Sequence, residues 1–170
     1  MKIIETKAPI FVFEMPDMKE EVLTAIESMG THSLIDKGQQ ISNSDWHLNV
    51  NFVRPYYDMI NSVIAEKLDE VNKKIKNTTP LVIANFWFQQ YEQGDWHQWH
   101  FHGGCTFSSV YYVELPEKTS TTFEYMGNEF QVDVKEGDYI VFPSYLRHRS
   151  KPNNTGKRKT IIALNLNISN

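Results

Sequence analysis

Two stretches of this chain carry apolar residues at helical spacing, and the second half carries them in short blocks or in alternation. Val22, Ile26 and Met29 share one helical face. Asp17 and Glu20, three apart, form a candidate capping box ahead of them, and Gly30 supplies a stop. A short apolar run, Ile10-Phe11-Val12-Phe13, precedes this helix. From Pro55, the positions Ile60, Ile64, Leu68, Val71 and Ile75 trace a second amphipathic helix, with Pro55 suited to its first turn and Pro80 beyond its end. Its apolar stripe is read as packing against a sheet. Residues 31–54 between the helices are polar and lack a period, and read as an irregular connection with a short strand near 46–52. From Leu81 the pattern changes to strands, at 81–91, 106–115, 121–125, 129–134, 139–142 and 159–168. Turn signals such as Met126-Gly127-Asn128 and Glu136-Gly137-Asp138 separate them.

Two helices followed by a run of short strands predicts an α+β, mainly β chain, with helices buttressing one sheet of a sandwich or jelly roll. The length suits one domain, with 1–80 a helical layer and irregular connection and 81–170 the β core. A hydrophobic content of 41% and an aromatic content of 13% describe a globular chain. Charges within residues 1–7 come too early for a signal segment, and no run is long enough to span a bilayer, so a cytoplasmic protein is expected. The net charge of -4 argues against broad electrostatic attachment to nucleic acid or membrane. For oligomeric state, a homodimer is the commonest default.

The candidate chemistry lies in histidine. A single cysteine, Cys105, excludes an intramolecular disulfide and a cysteine-based metal cage, so any metal must rest on His and carboxylate. Three of six histidines fall within Asp95-Trp96-His97-Gln98-Trp99-His100-Phe101-His102, and His148 follows a strand-like run. Strand residues two apart face the same way, so His100 and His102 can present two imidazoles to one ion, with His148 as third ligand. Neutral imidazole suits Fe, Zn, Cu and Ni, so spacing alone leaves the metal open. His97, three before His100, falls on the other face and is expected beside the ligands or in solvent.

The same segments are similar to the paired signatures of cupins: Gly94, five residues, then His100-x-His102; and Gly137, five residues, then Pro143, with His148 five further on. They depart from them in lacking the downstream glutamate of the first signature and in placing Tyr145 where a glycine is usual. With flanking residues the match sharpens. The order Trp87, Gly94-Asp95, His100-x-His102, Ser108-Ser109-Val110-Tyr111-Tyr112-Val113, Gly137-Asp138, Phe142-Pro143-Ser144-Tyr145-Leu146-x-His148, Pro152-Asn153 and Arg158-x-Thr160 resembles the Fe(II)/2-oxoglutarate-dependent oxygenases, in particular a group common in bacteria and phages. The resemblance covers about 81–168. It implies a double-stranded β-helix (a cupin-like jelly roll) holding Fe(II), with 2-oxoglutarate and O₂ as cosubstrates and a hydroxylase reaction that yields succinate and CO₂.

The resemblance further implies a cationic anchor about ten residues after the distal metal histidine, and Arg158 is ten after His148. A guanidinium grips a carboxylate with two hydrogen bonds. Thr160 shares its parity, and Tyr111 matches the position from which prolyl-hydroxylase relatives bring a hydroxyl. Arg158, Thr160, Ile162, Leu164 and Leu166 alternate along one face, so if the leucines point into the barrel, Arg158 and Thr160 do too. One departure concerns the third ligand: His102 stands where many relatives have Asp, which would leave the site one charge more positive. Asp95 and Glu124 are conceivable carboxylate substitutes. Two alternatives stay open, a three-histidine cupin-type dioxygenase or isomerase that does not use 2-oxoglutarate, and a non-enzymatic binding module. The primary substrate, a small molecule or a peptidyl side chain, is not specified by these motifs.

Overall fold

The computed structural model describes residues 8–30, 32–49 and 51–169. Residues 1–7, which bear the charges read against a signal segment, lie outside them. The chain runs β1 (Phe11–Glu14), α1 (Lys19–Glu27), β2 (Leu34–Asp36), β3 (Gln39–Ile41), β4 (Asn43–Ser44) and α2 (Pro55–Lys74). It continues through β5 (Leu81–Tyr91), β6 (Trp96–His100), β7 (Phe107–Glu114), β8 (Thr122–Tyr125), β9 (Asn128–Gln131), β10 (Asp138–Pro143), β11 (Arg147–Ser150) and β12 (Lys159–Ile168). Two antiparallel six-stranded sheets result. One has the order β1-β10-β7-β12-β5-β4, the other β2-β3-β6-β11-β8-β9. This is the expected double-stranded β-helix, as two facing sheets rather than a closed barrel. No helix among the described residues is long and apolar enough to cross a membrane.

Sheet one is buried on both faces. Its outer face meets α1 and α2 through Ile60, Ile64, Leu68 and Val71 against Phe88, Tyr111, Tyr139, Ile162, Leu164 and Leu166. Its inner face meets the second sheet through Tyr91, Val110, Tyr112, Ile140, Phe142 and Ile161. Burial on both sides explains why β7, β10 and β12 read as near-continuous apolar blocks instead of alternating. Each helix stripe residue withdrawn from water contributes about 1.5–3 kcal/mol, so the helical layer is a substantial part of the stability.

Several local expectations need correction. The capping box does not form: α1 starts at Lys19 after Met18, without a side-chain cap, and Asp17 only accepts a long bond, 3.4 Å, from the Lys19 amide. Gly30 does end the helical segment, with φ +83, a left-handed conformation that glycine adopts freely. The strand expected near 46–52 is absent. Strands β2, β3 and β4 precede it, and the described residues 45–49 and 51–54 fold around the Arg54 guanidinium, which donates to the carbonyls of Asp45, Leu48, Asn49 and Phe52. Backbone groups spent on Arg54 are not available to a ladder. The polar runs Trp96–His100 and Arg147–Ser150 are strands without β-branched residues, formed because their neighbours in the second sheet pair with them.

Candidate metal centre

His100 closes β6 and pairs directly with His148 of β11. His102 lies two residues past the end of β6, where its amide donates to the Ser144 carbonyl at 3.0 Å. The three imidazoles converge: ring centroids are 4.2 Å apart for His100 and His148, 5.3 Å for His100 and His102, and 5.2 Å for His102 and His148. One ring nitrogen from each lies within 4.8 Å of the others. The Nδ1 atoms of His100 and His148 lie 2.9 Å from the carbonyls of Gln98 and Leu146. A carbonyl can only accept, so Nδ1 carries the proton in both and Nε2 keeps its lone pair for a metal. The Asn165 side chain accepts a hydrogen bond from His102. Burial favours the neutral rings: His102 is pushed down to about 4, His148 well below its ordinary value and His100 lower as well. Three oriented neutral nitrogen donors fit a divalent transition metal.

His97 is placed differently from the expectation. The β6–β11 register shifts between His148 and Ser150, so that His97 stands opposite Ser150, and its ring stacks on His100 at 4.0 Å and 17°. A bulge thus brings residues three apart to the same side. His97 faces the cavity, and burial followed by repulsion from His100 pushes it down to about 3. The two conceivable carboxylate ligands serve elsewhere. Asp95 accepts the amides of Ser42 and Glu92, and Glu124 pairs with Arg147 at 2.6 Å.

The histidines open on a cavity of about 270 Å³ between the sheets. Lys159, 1% exposed, also lines it, a position that motif reasoning passed over. Its Nζ donates to Ser150 Oγ at 3.0 Å and sits 5.1 Å from the centroid of the Tyr91 ring. Among the described residues no carboxylate lies within ion-pairing distance of it, and burial alone pushes the ammonium down to about 7. The Tyr91 hydroxyl donates to Gln89 at 2.8 Å, and burial pushes the phenol well up, so it stays neutral.

The residues expected to hold the cosubstrate carboxylate face the other way. Leu164 and Leu166 belong to the core beneath the helices, so even-numbered residues of β12 point outward and the odd-numbered Lys159, Ile161 and Ala163 line the cavity. Arg158 forks onto Glu114 at 2.8 and 3.3 Å and reaches Glu27 of α1 at 3.3 Å. Thr160 hydrogen-bonds the same Glu114 carboxylate. Tyr111 packs in the core under the helices. These three stand on the helical side of sheet one. The reason is the double burial of that sheet: with apolar residues on both faces, alternation does not say which parity is inward.

No family model and no curated protein matches the sequence. Solved structures do match the fold. A 2OG-Fe(II) oxygenase family oxidoreductase from Burkholderia pseudomallei superposes with a TM-score of 0.71 at 10% identity, over 87% of this chain and 77% of that one. The viral collagen prolyl hydroxylase of Paramecium bursaria Chlorella virus-1, in complex with 2OG, gives 0.66 at 16% over 92% and 94%. A Pseudomonas putida prolyl-4-hydroxylase gives 0.68 at 13% over 95% and 93%. The chain has the fold of the 2OG-Fe(II) oxygenases.

Proposed function

We propose that this chain is an Fe(II)- and 2-oxoglutarate-dependent oxygenase, acting as a hydroxylase, with metal at His100, His102 and His148 and the distal cosubstrate carboxylate on Lys159. The observation that carries this reading is a buried ammonium with no carboxylate partner among the described residues, facing the same cavity as three converged imidazoles. Burying a cation without a counter-charge is costly, and a ligand carboxylate entering the cavity would relieve that cost. The spacing is suitable. Ser150, the partner of Lys159, stands two residues from His148 on the same strand face, about 6.6 Å along the strand. A five-carbon diacid spans about 5 Å between its terminal carbons, so one end can meet the metal while the other meets Lys159. The viral hydroxylase with this fold holds 2OG, in keeping with that cosubstrate here.

Bound iron would supply the redox chemistry that couples decarboxylation of 2-oxoglutarate, to succinate and CO₂, with oxidation of a substrate C–H bond. The chain's own residues do the rest. Gln98 and Leu146 carbonyls orient two imidazoles, Asn165 orients the third, and Trp87 stacks on His102 at 6.0 Å and 24°. Ile161, Ala163, Val110 and Phe142 keep the inner cavity apolar, which strengthens the Lys159–carboxylate interaction. In this reading Arg158, Thr160 and Tyr111 have no part in cosubstrate binding.

The test is anaerobic mixing of the purified protein with Fe(II) and 2-oxoglutarate. The visible charge-transfer band of a chelated 2-oxo acid is expected, followed in air by succinate. Absence of both the band and succinate would overturn the reading. A second reading, a three-histidine oxygenase or isomerase without 2-oxoglutarate, is favoured by one observation: the converged donor set contains no carboxylate. It requires wild type and Lys159→Met to load metal equally and neither to bind 2-oxoglutarate.

A further inference from the structure

We infer that Trp46, held on the 45–54 loop, is the specificity-determining wall of the primary-substrate subsite, and that the group it receives is neutral, apolar and amide-bearing, such as a peptide-bonded residue. The inference rests on the oxygenase reading for the identity of the site, but its evidence is separate. Trp46 lines the cavity yet remains 50% exposed. It packs edge-on against Trp87 at 4.5 Å and 71°, and Trp87 in turn stacks on His102. A half-exposed indole connected through one ring to a proposed metal ligand borders the place where a substrate C–H bond must lie.

The loop that carries Trp46 is fixed with unusual completeness for a surface connection. The neighbouring Asp45 is buried and accepts the Phe88 amide of β5 at 2.8 Å, the Tyr56 hydroxyl of α2 at 2.7 Å and Arg54 Nε at 2.5 Å. Arg54 closes the loop on four of its carbonyls. Ser44 Oγ donates to the Phe88 carbonyl and accepts the Trp46 amide. An exposed indole held from strand and helix alike is ordered before its ligand arrives, which lowers the entropy cost of stacking on it.

Charge selects the class of ligand. Among the described residues no Asp or Glu lines the cavity, so a cationic group would meet Lys159 and a bound metal dication without a counter-charge. Of the two Lys or Arg side chains lining it, Lys159 is buried, and Arg149 donates one terminal nitrogen to both oxygens of Glu129 and lies over the Trp99 face at 4.4 Å, leaving its Nε unpaired among the described residues. A second anion, such as a phosphate, would have to compete with Glu129 for Arg149. Trp87 packs on that indole, and Leu34, Gln39 and Gln89 line the same cavity, which suits an apolar surface flanked by an amide.

The test uses the protein loaded with Zn(II) and 2-oxoglutarate, and follows the four tryptophan indole N–H signals by NMR, assigned by single Trp→Phe variants. The probes are N-acetyl-leucinamide (neutral), N-acetyl-lysinamide (cationic) and N-acetyl-phosphoserinamide (anionic). Saturable shifts of the Trp46 and Trp87 signals are expected with the neutral probe, with affinity at least about tenfold weaker for either charged probe. Trp46→Ala should weaken the neutral probe about tenfold, and Trp46→Phe should restore most of that loss. Equal binding to Trp46→Ala and wild type, no binding of the neutral probe, or preference for a charged probe would each overturn the inference. Amide dispersion in the NMR spectra of the same variants confirms that each is folded, and the Fe(II)–2-oxoglutarate band separates the two claims. Probe binding without the band removes the oxygenase reading and leaves the wall. The band without probe binding does the reverse.

Discussion

Replacing Lys159 by Met should make the protein more stable and unable to bind 2-oxoglutarate, two effects that ordinary damage to the fold would not combine. Burial lowers the ammonium from 10.5 to about 7 in the folded chain. At about 1.36 kcal/mol per pH unit, that interval amounts to about 5 kcal/mol of penalty when the group is charged in both states. Between pH 7 and 10.5 the unfolded chain holds the proton and the folded chain has released it. Wild-type stability therefore rises with pH across that window, by about 1.4 kcal/mol per unit, and is flat below it. Met fills much the same space without charge, at the cost of one hydrogen bond to Ser150, worth about 1 kcal/mol. The expected gain for Lys159→Met is then about 4 kcal/mol at pH 6, shrinking towards zero by pH 9.5. Urea denaturation at the two pH values, with m-values compared, measures it. Calorimetric titration gives the second effect: wild-type affinity for 2-oxoglutarate should fall about tenfold per pH unit above 7, as the free protein loses the proton its ligand requires, and the variant should show no binding. A stability gain that is the same at pH 6 and pH 9.5, or wild-type affinity in the variant, would refute the reasoning.

Further outcomes follow from the same geometry. Arg158→Ala should leave 2-oxoglutarate affinity within about twofold of wild type while costing about 1 kcal/mol, because its fork to Glu114 and Glu27 is only partly buried and ties α1 to sheet one; calorimetry and urea denaturation measure the two. His100→Ala should reduce bound metal, read by elemental analysis after loading, from about one equivalent to a trace; His97→Ala should retain it, since His97 touches the centre only by stacking on His100. Asp45→Asn should cost about 3–5 kcal/mol in urea denaturation, since it leaves the buried Arg54 charge without its partner. Leu68→Ala should cost about 2–5 kcal/mol by opening a cavity beneath the helical layer.

What could be read from the sequence follows from which faces are buried. The stripe Ile60-Ile64-Leu68-Val71 faces a core on one side and water on the other, so its period was visible and the helix runs from Pro55 as expected. The end strands β5 and β12 match at both boundaries because Val, Ile, Leu and Phe mark them throughout. The strands that carry His100 and His148 were the hard ones. Trp96–His100 and Arg147–Ser150 contain no β-branched residue, and their ladder partners are distant in sequence, so nothing local declares them strands. The convergence of His100, His102 and His148 was inferable from spacing and family order. The inclusion of His97 was not, because a register shift visible only in the paired strands decides it.

The cation illustrates the limit most sharply. Arg158 and Lys159 are adjacent, both basic and both near the expected distance from His148, so only strand parity separates the proposed anchor from a helix tether. In a sheet with one wet face, alternation would have settled the parity. Here β12 lies between the helical layer and the second sheet, with Ile162, Leu164 and Leu166 on one side and Ile161 and Ala163 on the other. The physical distinction lies in what each cation meets. Arg158 finds two carboxylates, Glu114 and Glu27, on its own side, and so its charge is already answered. Lys159 finds a hydroxyl and an aromatic face, which do not neutralise it. A charge left unanswered inside an open cavity is a better indication of a ligand's carboxylate than its count from a histidine, because the count tolerates a slip of one residue and the electrostatics do not.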